Sequence, residues 1–265
     1  MRQFYHFLLL TTCAGLVTGG TAQAQLYVKG FGGYSGSIES DVDGTFENAI
    51  QTLGDGSTVP VPELNGERLT LSTTGDAGPI FGAAIGYNFD QVLIGPLSPS
   101  LEFEVSRSNS DTDGFSVPVS VDGTDLGGTV NLPSSDRTMT VFALRGLVEF
   151  DTPVVPVDPY VGASVGIAQF DDYLGNIVSG LGARSAEADD ATAYGIFGGA
   201  TLALPAGLAA YAEVRYQNVQ DVSIAVRGLP IDVDTPGGTI SATTDYVATT
   251  DIDNASALIG LRWEF

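Results

Sequence analysis

Two residue types with wide chemical repertoires are almost missing from this 265-residue chain: there is one cysteine, Cys13, and one histidine, His6. Both fall in the opening stretch MRQFYHFLLLTTCAGLVTGGTAQAQ, which carries Arg2, an apolar run from Phe4 to Val17 and a small-x-small close at Ala22-Gln23-Ala24. This reads as a secretory signal peptide, residues 1–24, cleaved on export. A lipoprotein-like box at Leu10-Thr11-Thr12-Cys13 matches less well, because Thr12 stands where a small Ala or Gly is expected. The mature chain from Gln25 is then expected to have neither cysteine nor histidine. That excludes a disulfide framework, Cys or His metal ligation, and Ser–His or Cys–His catalysis.

Positive charge is also scarce. Ten Lys and Arg face 32 Asp and Glu, for a net charge of −22 (−23 once Arg2 is removed), and Lys29 is the single lysine. Neither nucleic acid nor an anionic lipid surface is expected as a partner, since phosphate binding needs clustered cations. No cofactor motif is present, and none is expected. After residue 24 no run approaches the roughly 20 apolar residues of a membrane helix. Yet 43% of residues are hydrophobic, mean hydropathy is +0.18 and there are 34 glycines. An all-β protein rich in turns fits that balance.

Period-two alternation recurs along the chain. In 79–89 Phe81, Ala83, Ile85, Tyr87 and Phe89 alternate with small residues, including Gly82, Ala84 and Gly86. In 100–108 Leu101, Phe103 and Val105 alternate with Glu102, Glu104 and Ser106. The same holds for 138–150 and 208–218, and less sharply for 26–35, 159–170 and 191–204. The last stretch, 254–265, sets Ala257, Ile259, Leu261, Trp263 and Phe265 against Ser256, Leu258, Gly260, Arg262 and Glu264. These eight segments have the length that a tilted strand needs to cross a bilayer, about 9–11 residues.

The connections sort by parity. Those after the second, fourth and sixth segments are short and contain proline; those after the first, third, fifth and seventh are long, at about 36–77, 109–136, 171–190 and 220–252. Short turns on one side and long loops on the other predict a transmembrane antiparallel up-and-down β-barrel of eight strands, occupying 25–265. The stretch SVPVSVDGTDLGGTVNLP reads as a hairpin about Asp122-Gly123; if it entered lipid the count would be ten. A soluble secreted sandwich is the fold-level alternative.

The opening Tyr27-Val28-Lys29-Gly30-Phe31-Gly32-Gly33-Tyr34 and the closing Leu261-Arg262-Trp263-Glu264-Phe265 resemble bacterial outer-membrane β-barrel proteins of the small, eight-stranded, opacity-like porin type. The resemblance covers the strands and not the long loops. It implies a multi-pass outer-membrane location and contact with outer-membrane lipid and lipopolysaccharide. It also implies a terminal strand (Leu261, Trp263, Phe265) read by the barrel assembly machinery. A monomer is expected.

The strand charges all fall on polar faces: Lys29, Glu102, Glu104, Arg145, Glu149, Glu213, Arg215, Arg262 and Glu264. An eight-stranded barrel has an interior just wide enough for its side chains. Three readings follow: a charge-paired structural plug, a narrow or gated ion path, or, least favoured, a carboxylate dyad. In the loops, Asp41-Val42-Asp43-Gly44 and Asp111-Thr112-Asp113-Gly114 each supply half of a calcium loop. The twelfth positions are Thr52 and Asp122, so neither is an EF-hand. Asp41, Asp43, Asp111 and Asp113 remain weak candidates for divalent bridging; solvated turns are the simpler reading.

The expected role is therefore structural or slow passive permeation, without enzymatic activity. The alternative is an adhesion or ligand-binding barrel acting through its acidic loops.

Overall fold

The structure, a computed structural model, describes residues 25–265 apart from 38–39, 54, 63–64, 67, 74–76, 90–96, 113–114, 122–123, 133–134, 153–155, 172–182, 184 and 236–237. The signal-peptide reading therefore falls outside the described residues. In chain order the strands are β1 (Gln25–Ser37), β2 (Ser40–Thr52), β3 (Thr58–Pro60), β4 (Arg68–Thr73), β5 (Gly78–Asn88), β6 (Leu97–Thr112) and β7 (Phe115–Val121). They continue with β8 (Thr124–Leu132), β9 (Ser135–Phe150), β10 (Val157–Asp171), β11 (Ser185–Ala188), β12 (Ala191–Ala203), β13 (Leu208–Thr235) and β14 (Gly238–Glu264).

Eight of these close a ring, β1-β5-β6-β9-β10-β12-β13-β14, and β14 pairs back onto β1. Every pairing in the ring is antiparallel. The hairpin around Asp122-Gly123 forms as β7–β8, but in a separate two-stranded sheet, so the ring stays at eight. Register pairs carry Tyr27 through Gly86, Glu102, Arg145, Ser164, Gly195, Gln217 and Asn254 to Ser37. The circuit thus returns to β1 ten residues above its start, which for eight strands means a tilt of about 40° and a backbone radius of about 8 Å.

The outer surface divides into zones. Exposed large apolar residues run from Leu26 to Tyr34 on β1, Tyr194 to Leu202 on β12, Leu208 to Tyr216 on β13 and Ile259 to Phe265 around the end of β14. At that tilt nine residues climb about 20 Å, close to the roughly 25 Å apolar band of an outer-membrane barrel. Tyr34, Phe81, Tyr194 and Tyr216 edge the upper rim, while Phe150, Trp263 and Phe265 edge the lower. A continuous belt of this kind is stable in lipid, and closure leaves no unpaired backbone there.

The long connections differ from expectation. The described residues of the 220–252 stretch are all strand, and β13 and β14 stay paired from Leu208↔Trp263 to Thr235↔Gly238. The 36–77 stretch supplies β2, which pairs with the outer half of β14, and also β3 and β4, which pair with β2. The 109–136 stretch holds the outer ends of β6 and β9 with β7–β8, and β11 comes from 171–190. These segments escaped the alternation test for a physical reason. Beyond the belt β13 faces water, so its pattern inverts: Val222, Ile224 and Val226 are buried inside, not displayed outside. A register shift between Val219 and Val222, beside Asp221 at φ 55°, also breaks the phase.

Inside the ring, five aromatic side chains lie flat across glycines on the neighbouring strand: Tyr27 on Gly86, Phe31 on Gly82, Tyr160 on Gly199, Phe197 on Gly162 and Tyr211 on Gly260. A β-carbon at Gly86 would stand 2.2 Å from the Tyr27 ring. Gly30, on the lipid side, has nothing within 4 Å. Gly86→Val is therefore expected to destabilise the barrel by about 1–3 kcal/mol, and Gly30→Val to leave it unchanged or firmer. The shift in urea midpoint of heat-modifiable gel migration checks both.

Candidate functional site

The lower lumen gathers all nine strand charges. Glu102 and Glu104 come from β6, Arg145 and Glu149 from β9, Glu213 and Arg215 from β13, Arg262 and Glu264 from β14, and Lys29 from β1. Alternation points each inward; the ten-residue stagger brings them together in the lower part of the lumen. Glu102 stands opposite Arg145 in register, a favourable cross-strand pair. Lys29 stands opposite Arg262, a like-charge pair, relieved because each turns to a different carboxylate. Lys29 reaches Glu102, and Arg262 Nη1 reaches Glu149 Oε2 at 2.9 Å.

The centre is a lattice. Arg145 Nη1 pairs with Glu104 and lies 3.4 Å from Glu102, while its Nη2 donates to Glu213 Oε2 at 2.6 Å. Arg215 binds Glu104 bidentately at 2.7 and 3.0 Å and Glu213 at 2.8 Å. Because β6 and β13 lie four strands apart in an eight-strand ring, as do β9 and β14, these pairs span the lumen. Arg145 and Glu102 are each 1% exposed, so solvent does not reach either side chain. Glu264, at 28% side-chain exposure, is the most open member and caps Arg262 from below at 2.5 Å.

Aromatic groups complete the site. Tyr27 Oη donates to Glu102 at 2.7 Å and Tyr160 Oη to Glu213 at 3.0 Å. The Lys29 ammonium lies 5.4, 5.4 and 5.0 Å from the ring centres of Tyr27, Tyr160 and Tyr211. The Arg145 guanidinium stacks 3.8 Å from Phe197, and that of Arg262 sits 4.4 Å from Tyr27. Ring faces supply negative potential to cations that have lost their water. Sequence reasoning missed these aromatics, although part of a signal existed: Tyr27 and Tyr211 share the face of their strand with Lys29 and with Glu213 and Arg215, whereas β12 around Phe197 carries no charge at all.

The terminal strand sits as a seam. Leu261, Trp263 and Phe265 face outward, Trp263 and Phe265 have ring centres 4.7 Å apart, and the Phe265 N–H donates to Leu26 O at 3.0 Å.

The acidic loop candidates stand differently from expectation. Asp41 and Asp43 lie within β2 and Asp111 within β6, so their backbone is extended and does not wrap an ion as a calcium turn does. Asp113 falls outside the described residues. Among the described residues no three acidic, His or Cys side chains gather as a metal site.

A search of family models finds no match, and neither does one of curated proteins. Solved structures do match. The outer membrane protein OprG from Pseudomonas aeruginosa aligns over 91% of this chain and 96% of its own, at 16% identity and a TM-score of 0.50. Neisserial surface protein A aligns over 91% and 99%, at 15% identity and 0.42, and the outer membrane protease OmpT from Escherichia coli over 92% and 98%, at 10% and 0.43. The OprG likeness establishes a shared fold and nothing finer. This chain has the fold of a bacterial outer-membrane β-barrel; the comparisons do not single out the opacity-like type.

Removing one partner from a buried lattice strands the others. Arg145→Leu, which leaves Glu102, Glu104 and Glu213 short of a cation, is expected to cost about 3–5 kcal/mol. Glu104→Gln with Arg215→Gln is expected to cost less than the sum of the single changes. Urea unfolding in detergent micelles, followed by tryptophan fluorescence, measures each.

Proposed function

We propose that this chain is an integral protein of the bacterial outer membrane whose role is structural, with at most slow passive permeation, and whose lumen charges form an ion-paired plug rather than a reaction centre. One observation carries the reading: the ion pairs join opposite walls of a ring about 8 Å in radius and leave the groups between them buried. Passage requires breaking several of them at once, so conduction is rare. An enzymatic role has no support in the residues of the exported chain, which offer no histidine or cysteine to activate a nucleophile. Lipid and lipopolysaccharide surround the belt in this reading. The barrel assembly machinery handles the terminal strand, and the protein works as a monomer.

A second reading rests on a separate observation. The outer halves of β13 and β14, with β2, project beyond the apolar belt and display Asp43, Glu47, Asp221 and Asp251 to solvent. That wall suits adhesion or ligand recognition.

Planar-bilayer recording of the refolded protein, beside gels run with and without boiling, tests the first reading. The expected outcome is a heat-shifted protein that is silent or shows sparse, small steps. Frequent large steps would mean that the lattice is not a plug, and the absence of a heat shift would sink the barrel itself.

A further inference from the structure

The lumen is layered above its ionic floor. Reading inward positions upward on β14, Arg262 gives way through Gly260 and the buried Leu258 to Ser256 and Asn254, then to Ile252 and Ala248; on β13, Arg215 gives way to Gln217, then to Val219, Val222 and Ile224. On β6, Glu104 is followed by Ser106 and Ser108, and on β1, Lys29 is followed by the buried Phe31, by Gly33 and then by Ser35. A half-ring of small neutral polar groups thus sits between two unlike layers. Its hydroxyls and amides are buried (Ser106 3%, Asn254 4%), Ser256 Oγ donates to Ser35 Oγ at 3.0 Å, and Asn254 Nδ2 has no hydrogen-bond partner.

The layer above is apolar and draws on two parts of the chain. Val222, Ile224, Val226, Tyr246, Ala248 and Ile252 from the outer stretch of β13–β14 share one buried cluster with residues at the outer ends of β9, β10 and β12, such as Met139 and Ala168. A free-standing wall would leave that inner face wet. Instead it closes on the opposite rim. Its base carries the register shift beside Asp221, whose N–H donates to Asp251 Oδ1 at 2.9 Å, and a second shift follows at Val226/Leu229, where the Gly228 N–H donates to Asp245 Oδ1 at 2.9 Å. Such irregularities are where a paired ribbon bends.

We propose that the outer stretch of β13–β14 is an apolar cap, bending at the Asp221 bulge, whose displacement admits small uncharged polar solutes from outside to the serine–asparagine–glutamine half-ring. The solute class follows from the chemistry. The half-ring offers only neutral donors and acceptors, including the unpartnered Asn254 Nδ2, while the floor below already has its charges paired. The inference rests on the slow-permeation reading and names its outer gate.

The exported chain lacks cysteine, so single thiols can be placed at will. Ser106→Cys marks the half-ring and Ser57→Cys an exposed position; each is inserted in phosphatidylcholine vesicles and treated with an uncharged methanethiosulfonate made membrane-impermeant by a polar sugar group. The cap predicts slow labelling of Ser106→Cys, fast labelling of Ser57→Cys, and a rise of roughly tenfold or more at Ser106→Cys when Val222→Asp and Ile252→Asp place charge in the cap, since labelling then samples a more populated open form. Should the charged pair prevent a heat-shifted barrel, Val222→Ser with Ile252→Ser makes the same comparison. Equal labelling of both thiols with the cap intact overturns the proposal, and so does a heat-shifted cap variant in which Ser106→Cys stays slow. Faster labelling without any change in bilayer conductance keeps the cap and removes the permeation reading.

Discussion

Backbone hydrogen bonding in lipid is the constraint on which this molecule turns. Where no water can compensate, each N–H and C=O must pair within the chain, and a sheet can meet that demand only by closing. The seam is the run from Tyr27↔Glu264 to Ser37↔Asn254 between β1 and β14. Its register, summed around the ring, sets the ten-residue stagger, and the stagger with the strand number sets the radius. A ring of that size must be filled by its own side chains. The pairing of large rings with glycines follows from this limit: Tyr27, Phe31, Tyr160, Phe197 and Tyr211 each use the space that an absent β-carbon leaves on the next strand.

The same radius governs the charges. Four cations and five carboxylates share the lower lumen, and with Glu264 set aside at the more open edge the remainder balance four to four. Withdrawing ions from water costs several kcal/mol apiece, and their mutual attraction offsets this only when geometry and hydrogen bonding are good. The tyrosine hydroxyls on Glu102 and Glu213, and the ring faces against Lys29, Arg145 and Arg262, provide that geometry. Breaking one such pair is costly, because it leaves an uncompensated buried charge. A one-residue slip of any of these strands would turn its own charges toward lipid.

Along β13 and β14 the solvent changes, and the packing inverts with it. Within the belt Glu213, Arg215 and Arg262 point inward while Val214, Ile259 and Leu261 face outward; above it Val222, Ile224 and Ala248 are inside and Asp221 and Asp251 outside. One hydrogen-bonded ribbon serves both environments. The bulge beside Asp221 marks the change and resets which residues face the interior.

Alternation and the parity of the connections were enough to reveal the eight lipid-crossing segments and their inward charges. In each case the side-chain period is a local property, and the solvent on one face is uniformly apolar. The hairpin at Asp122-Gly123 was legible for a similar reason, since a tight turn is encoded in a few residues. Tertiary structure decided what depended on partners distant in sequence. Which cation meets which carboxylate, as in Arg145 with Glu213 or Arg262 with Glu149, follows from the stagger of the whole ring. Whether an apolar position faces lipid or a capped interior follows from how far up the ribbon it lies, because Val214 and Val222 are the same residue type with opposite surroundings.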